Sequence, residues 1–360
     1  MQFRREVFNV TNDANFALPT STRRTNYMNK SFPTKLTFLF LFAAGCVCAR
    51  GASAPALGSV TELKEPCPGG AGPGAGAVCR QLQVACPGLN PIAVQIRMTE
   101  PAAGVPLRGT VVLGSGAGGS GFYAGGGERV QFLASLNAMG FRVVDRAWTG
   151  TGKNGWTTSE AGLRKESCRY ATLLTWVHDH VHKGGKFVAT GNSGGSAEIG
   201  YALTSWGRAA ILDLAIPTSG PPTAHLDYAC VKQATPQWAS LCASIVPANT
   251  MQCPKQNCIL GAAQLAPGGV CTQTGSQPTP EQLLDDSVVN PDAVLDYPKT
   301  LVHFIYGKKD CGEPVPIGLT YATKVTSRKV IEFVPNTPHE VASTPEGRAA
   351  ILKAIDDGTK

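Results

Sequence analysis

The stretch Phe187-Val188-Ala189-Thr190 runs directly into Gly191-Asn192-Ser193-Gly194-Gly195 and then into a segment with helical patterning. A serine hydroxyl is a weak nucleophile until a base removes its proton, so Ser193 is useful for chemistry only with a histidine and an acid to hold that histidine. The GxSxG spacing between a strand and a helix suits such a role. Small flanking residues allow a sharp, strained turn that lifts the hydroxyl out of the sheet beside a helix N-terminus. The bare pattern also arises by chance, and its placement is what gives it weight.

Chain order decides which partners are available. GNSGG is also similar to the serine loop of trypsin-like proteases, but that arrangement needs a histidine far upstream and then an aspartate. The histidines before Ser193 are His178, His180 and His182, all in one expected helix. The opposite order, serine, acid, histidine, is present. LVHFIYG is followed by Lys308, Lys309 and Asp310, and VIEFV is followed by Pro335-Asn336-Thr337-Pro338-His339. A loop histidine alone is usually a solvent-facing bystander, and an aspartate after a strand is usually a turn former. Both at the positions the order demands make His339 the expected general base and Asp310 the acid that orients it.

With these residues the chain resembles the α/β-hydrolase superfamily over about residues 80 to 355. The resemblance implies Ser193 as nucleophile, His339 as general acid/base and Asp310 as orienting acid. It also implies an oxyanion hole using the backbone N–H of Gly194 and a second donor from the loop Gly114-Ser115-Gly116-Ala117-Gly118-Gly119, at Gly116 or Ala117. The His-Gly pair common in that loop is missing, which leaves the register open. By the same likeness Phe122, Tyr123, Trp148 and Trp156 fall where substrate pockets lie, with core packing as the competing role.

Other motifs read as plain structure. GSGAGG lacks a GK[ST] ending and a dinucleotide register with an acid about 20 residues on, so nucleotide binding is not expected. His178 and His182 share a helix face but have no evident third ligand. His303 lies within an apolar strand and reads as a satisfied core residue. Cys253-Pro-Lys-Gln-Asn-Cys258 has a metal-like spacing, yet export favours disulfides and no histidine is near. No cofactor and no metal is expected.

The whole chain of 360 residues carries a formal charge of +7, with 43% hydrophobic and 16% charged residues. Such a composition excludes a disordered chain, and no Gly-x-y period suggests a collagen-like one. The positive charge does not mark a nucleic-acid binder, because much of it is N-terminal. From Met28, a possible true start, two lysines precede the apolar run 36–44 and then small residues, the layout of a signal peptide. That run is short of the roughly 20 residues needed to cross a bilayer, so no stable membrane span is expected. Cleavage after Ala54 removes seven Lys/Arg, two acids, Cys46 and Cys48, leaving a charge of +2 and ten cysteines. An even count in an exported chain implies up to five disulfides of unassigned pairing, and one at Cys311 would stiffen the Asp310 loop.

The elements needed to position these residues follow from periodicity. A hairpin or pair of edge strands is expected at 80–85 and 92–98, then strands at 109–113, 141–144, 186–190, 210–216, 301–306 and 330–334. Helices are expected at 128–139, 168–181, 196–206 and 344–355, the last opened by Thr344-Pro345-Glu346. Alternation of this kind predicts an α/β fold with a mostly parallel central sheet flanked by helices. The expected organisation is a leader over 1–54 and a catalytic domain over 55–360, with a cysteine-containing cap or lid inserted at 221–298. The implied function is a secreted, extracellular or periplasmic, serine hydrolase acting on a small-molecule or polymeric carboxylic ester through an acyl-enzyme. The alternatives are a peptidase or amidase on the same scaffold and a non-catalytic secreted binding protein.

Overall fold

A computed structural model describes residues 55–360 apart from 69, 74–75, 126, 150–154, 159–160, 231–243 and 254–278. The expected leader and much of the expected cap therefore lie outside the described residues. Among the described residues nine strands form one sheet: β1 (Ser59–Glu62), β2 (Val78–Ala85), β3 (Ile92–Thr99), β4 (Gly109–Gly114), β5 (Phe141–Trp148), β6 (Lys186–Asn192), β7 (Leu214–Thr218), β8 (Leu301–Gly307) and β9 (Lys329–Val334). Their spatial order is β1-β2-β3-β5-β4-β6-β7-β8-β9. The pairs β1/β2, β2/β3 and β3/β5 are antiparallel and all later pairs parallel. The expected mostly parallel sheet is thus present, with the expected hairpin as β2 and β3.

Two apolar layers cover it, and the strands supply both by alternation. Val111, Leu113, Val188, Leu214, Ile216 and Ile305 face one cluster, while Val112, Phe187, Ala189, Ala215, Phe304 and Tyr306 face the other. The first layer is closed by α1 (Glu128–Ala138) and the C-terminal helix Pro345–Gly358. The second is closed by α3 (Cys168–His180), preceded by the single turn α2 (Leu163–Glu166), and by α4 (Gly194–Thr204). Also helical among the described residues are α5 (Pro280–Asp285) and α6 (Pro314–Lys324), which makes the C-terminal helix α7. Thr344 caps α7 by accepting from the Gly347 N–H at 3.1 Å, with Pro345 at the first helical position. Thr279 and Gln282 form a reciprocal capping box on α5.

The differences from the sequence reading are local. The strand expected at 210–216 begins only at Leu214, because Arg208–Ala210 forms a 3₁₀ turn and the Asp213 carboxylate accepts from the Phe187 N–H at 2.9 Å. It then continues past Pro217 to Thr218. The strand expected to end at Val144 runs on to Trp148, and its added residues are buried. Strand β1 and helix α6 were not anticipated.

Three disulfides join described cysteines: Cys67 to Cys79, Cys86 to Cys168, and Cys253 to Cys311. The last is the anticipated bridge beside Asp310, and it takes Cys253 out of the zinc-like spacing. The side chains of Cys230, Cys242, Cys258 and Cys271 lie outside the described set. Among the described residues no helix is long and apolar enough to cross a membrane.

Candidate active site

Ser193 lies at the junction of β6 and α4 with φ 52° and ψ −112°, a conformation that an L residue adopts only under constraint. The glycines around it make the turn possible. A methyl on Gly191 would lie 2.7 Å from the Gly195 carbonyl, and one on Gly194 would collide with the Ala117 carbonyl. The first turn of α4 is thereby pressed against the glycine loop that follows β4. A methyl on Gly116 would approach Ser193 Cβ to 3.5 Å, which brings Gly116, Ala117, Ser193 and Gly194 into one cluster. Ala117 itself has φ 51°, so the loop turns sharply beside the serine.

Asp310 follows β8 and His339 follows β9, both at the C-terminal edge of the parallel strands where β6 also ends. His339 Nδ1 lies 2.9 Å from Asp310 Oδ2. The aspartate is 3% exposed and the histidine ring 42% exposed, so the acid is sheltered and the base is open toward solvent. Burial lowers the imidazole pKa, but the hydrogen bond and charge of Asp310, with Glu340 and Glu313 adding to it, outweigh that effect. The net result is a histidine above its ordinary value.

The two loops are tied to neighbours. Asn192, the residue before the serine, accepts at Oδ1 from the Thr218 hydroxyl at 2.9 Å and from the Val341 N–H at 3.2 Å. It thus links the Ser193 turn to the loop that carries His339. On the acid side, Cys253 is bridged to Cys311, and the Gln252 N–H donates to the Lys308 carbonyl at 2.7 Å. The Gln252 side chain accepts from the Asn336 N–H at 2.7 Å, so one segment braces both loops.

Behind the glycine loop lies a charged pair that the sequence reading did not single out. Arg146 on β5 and Glu198 on α4 are both 0% exposed and bonded to one another. Burial outweighs the Arg146 charge and the bonds from Trp148 and Arg146, so the Glu198 carboxyl is pushed up to about 7. Two clues were present in the chain, an arginine near the end of the apolar run FRVVDRAW and a glutamate inside the apolar helix GGSAEIGYALT.

The remaining candidates are placed as structure. Tyr123, Trp148 and Trp156 are almost wholly buried and belong to the core, while Phe122 lies under the Arg97 guanidinium. His178 bonds Asp179, His182 bonds Thr110, and their rings stack on one another. His303 is paired with Glu332 at 3.0 Å. Among the described residues no group of three or more His, Cys, Asp and Glu is arranged to hold a metal ion.

No protein-family model and no curated protein matches the chain. Solved structures do. Est1E from Butyrivibrio proteoclasticus is similar at 12% identity and TM-score 0.45, covering 77% of this chain and 99% of its own. A bacterial heroin esterase is similar at 19% identity and TM-score 0.48, covering 79% and 86%. An acylaminoacyl peptidase from Pyrococcus horikoshii is similar at 10% identity and TM-score 0.47, covering 77% and 40%. At such identities and TM-scores these likenesses carry no argument, and the chemistry of this chain has to be argued from its own residues.

Proposed function

We propose that this chain, α/β-hydrolase in architecture, is a secreted serine hydrolase that cleaves carboxylic esters through an acyl-enzyme on Ser193. The observation that carries the reading is the 2.9 Å contact of His339 Nδ1 with Asp310 Oδ2, made on the sheet edge where the strained Ser193 turn also ends. The disulfides support an exported location.

In this reading Asp310 fixes the imidazole tautomer with the proton on Nδ1, leaving Nε2 as the base. As the Ser193 hydroxyl attacks the ester carbonyl, Nε2 takes its proton, and Asp310 stabilises the resulting imidazolium. The carbonyl oxygen becomes an oxyanion held by the Gly194 N–H and by a second backbone N–H from the Gly116–Ala117 stretch. Collapse expels the alcohol, which receives the proton from His339 and leaves the acyl group on Ser193 Oγ. A water molecule then attacks that acyl carbon, giving its proton to His339, and the carboxylic acid departs as Ser193 regains its hydrogen. No cofactor is needed for any of these steps.

The test is intact mass after incubation with a fluorophosphonate, followed by peptide mapping of the adduct. A single adduct at Ser193, together with faster turnover of a short acyl ester than of an aminoacyl amide, is the expected result. An adduct elsewhere overturns the nucleophile assignment, and none on folded protein overturns it in favour of the binding-protein alternative. A preference for the amide would overturn the ester assignment and favour a peptidase.

A further inference from the structure

We propose that Arg146 and Glu198 are positioning residues that hold the two halves of the oxyanion hole at a fixed separation, an inference that rests on the hydrolase reading above. The two halves come from different elements. Gly194 belongs to the first turn of α4, and Gly116 and Ala117 belong to the loop after β4. Glu198 lies one helical turn beyond Gly194 on α4, and Arg146 lies on β5, the neighbour of β4 in the sheet.

The guanidinium gathers the loop. Arg146 Nη1 donates to the Gly119 carbonyl at 3.0 Å and Nη2 to the Ser115 carbonyl at 3.4 Å, so one planar group holds both ends of the Ser115–Gly119 turn. The same Nη2 is bonded to Glu198 Oε2. The other carboxylate oxygen accepts from Trp148 Nε1 at 2.7 Å. A methyl on Gly114 would lie 2.9 Å from Arg146 Nη2 and 3.5 Å from Glu198 Oε2, which places the pair directly behind the end of β4. Gly119, at φ +72°, admits the guanidinium at a distance that a side chain would forbid.

Stability alone is a poor reason for such a pair. A buried salt bridge must recover the desolvation of two charges, and well-packed apolar residues of similar volume often do as well. Arg146 also keeps a buried Nε without an acceptor among the described residues. What an apolar replacement cannot do is hold two carbonyls and a helix at once. The fork of an arginine can, because its donors are fixed in one plane.

The oxyanion hole acts on charge that develops in the transition state, so a loosened hole should lower kcat and leave ground-state binding alone. The experiment uses the full chain and the double variant Arg146→Met/Glu198→Leu, which removes both charges together. The readouts are kcat and KM on a short acyl ester, the inhibition constant of a trifluoromethyl ketone that forms an oxyanion on Ser193, and that of the product acid. Folding is checked by thermal unfolding. We expect kcat to fall about 10- to 100-fold with KM within about threefold, the ketone to weaken in parallel with kcat, and the product acid to bind as before. A folded double variant with kcat and ketone affinity within about twofold of the native protein overturns the assignment. Loss through KM and product affinity alone does so as well.

Arg146→Lys serves if the double variant fails to fold. It keeps a cation for Glu198 but loses the planar fork, and it carries the same expectation and the same overturning result. Native protein that is not labelled at Ser193 by a fluorophosphonate would end the hydrolase reading, and this inference with it. Labelled native protein beside unaffected variants would end the positioning assignment alone.

Discussion

The two halves of the site are held in contrasting ways. The half containing Ser193, Gly194 and the 114–119 loop is packed backbone against backbone, with a fully buried charge pair behind it. The half containing Asp310 and His339 is made of loops braced by a disulfide and by hydrogen bonds from Gln252, and its histidine is partly open to solvent. The contrast matches the work that the proposed reading asks of each. Stabilising an oxyanion depends on donors fixed before the charge appears, whereas a general base has to exchange protons in each cycle.

The comparison can be broken most sharply at the nucleophile. Ser193→Ala should lower kcat/KM by about 10⁴-fold or more while the unfolding transition stays in place, because the residual rate comes from binding and the hole alone. Substantial residual turnover by the pure variant would mean a different nucleophile. On the loop side, Asp310→Asn should reduce kcat/KM by up to about 10⁴-fold, since the amide can present its N–H to Nδ1 and favour the wrong tautomer. A steady-state assay giving less than a tenfold loss would show that the acid lies elsewhere.

The pH profile sharpens the difference further. As the proposed general base His339 must be neutral to act, and Asp310 raises its pKa, so kcat/KM should fall on the acid side with a midpoint above the ordinary histidine value of about 6.5. For stability the sign is opposite to that of an acid. The raised histidine adds stability below its unfolded pKa, and this is lost as pH rises through the folded one. An acid limb at or below about 6.5 in native protein would contradict the coupling of the two loops.

The smallest effect on turnover is expected from Cys253→Ser with Cys311→Ser. Removing this bridge should lower unfolding free energy by about 2–4 kcal/mol, yet reduce activity less than the changes above, because the Gln252 bonds remain. Denaturant titration and an ester assay on the same sample would check both. A loss of turnover as large as that from Asp310→Asn would show that the brace, and not the aspartate alone, sets the histidine.

How much of this was legible in the chain depended on range. Ser193, Asp310 and His339 each follow a short apolar strand, so local punctuation and order along the chain were enough to single them out, and the structure brings Asp310 and His339 into contact. The sheet was legible for the same reason, since buried strands and helices announce themselves by period. Helix α6 was hidden because Pro314, Pro316 and Gly318 look like breakers. In the fold Pro314 is at the helix start, and Gly318 packs against the Gly220 carbonyl. The end of β7 was hidden by Pro217, which reads as a stop although the strand runs through it. Arg146 and Glu198 are 52 residues apart, and no local pattern says that two charges in apolar segments will meet.

The side chain of Asn192 bears on how such chains should be compared and engineered. In a GxSxG search the residue before the serine is a wildcard, yet here its single carbonyl oxygen receives a hydroxyl from β7 and an amide N–H from the His339 loop. A library that randomised this letter would disturb the link between the Ser193 turn and the His339 loop while leaving every proposed catalytic group intact. For this chain the informative signature is therefore five letters, Gly-Asn-Ser-Gly-Gly, with no free position among them.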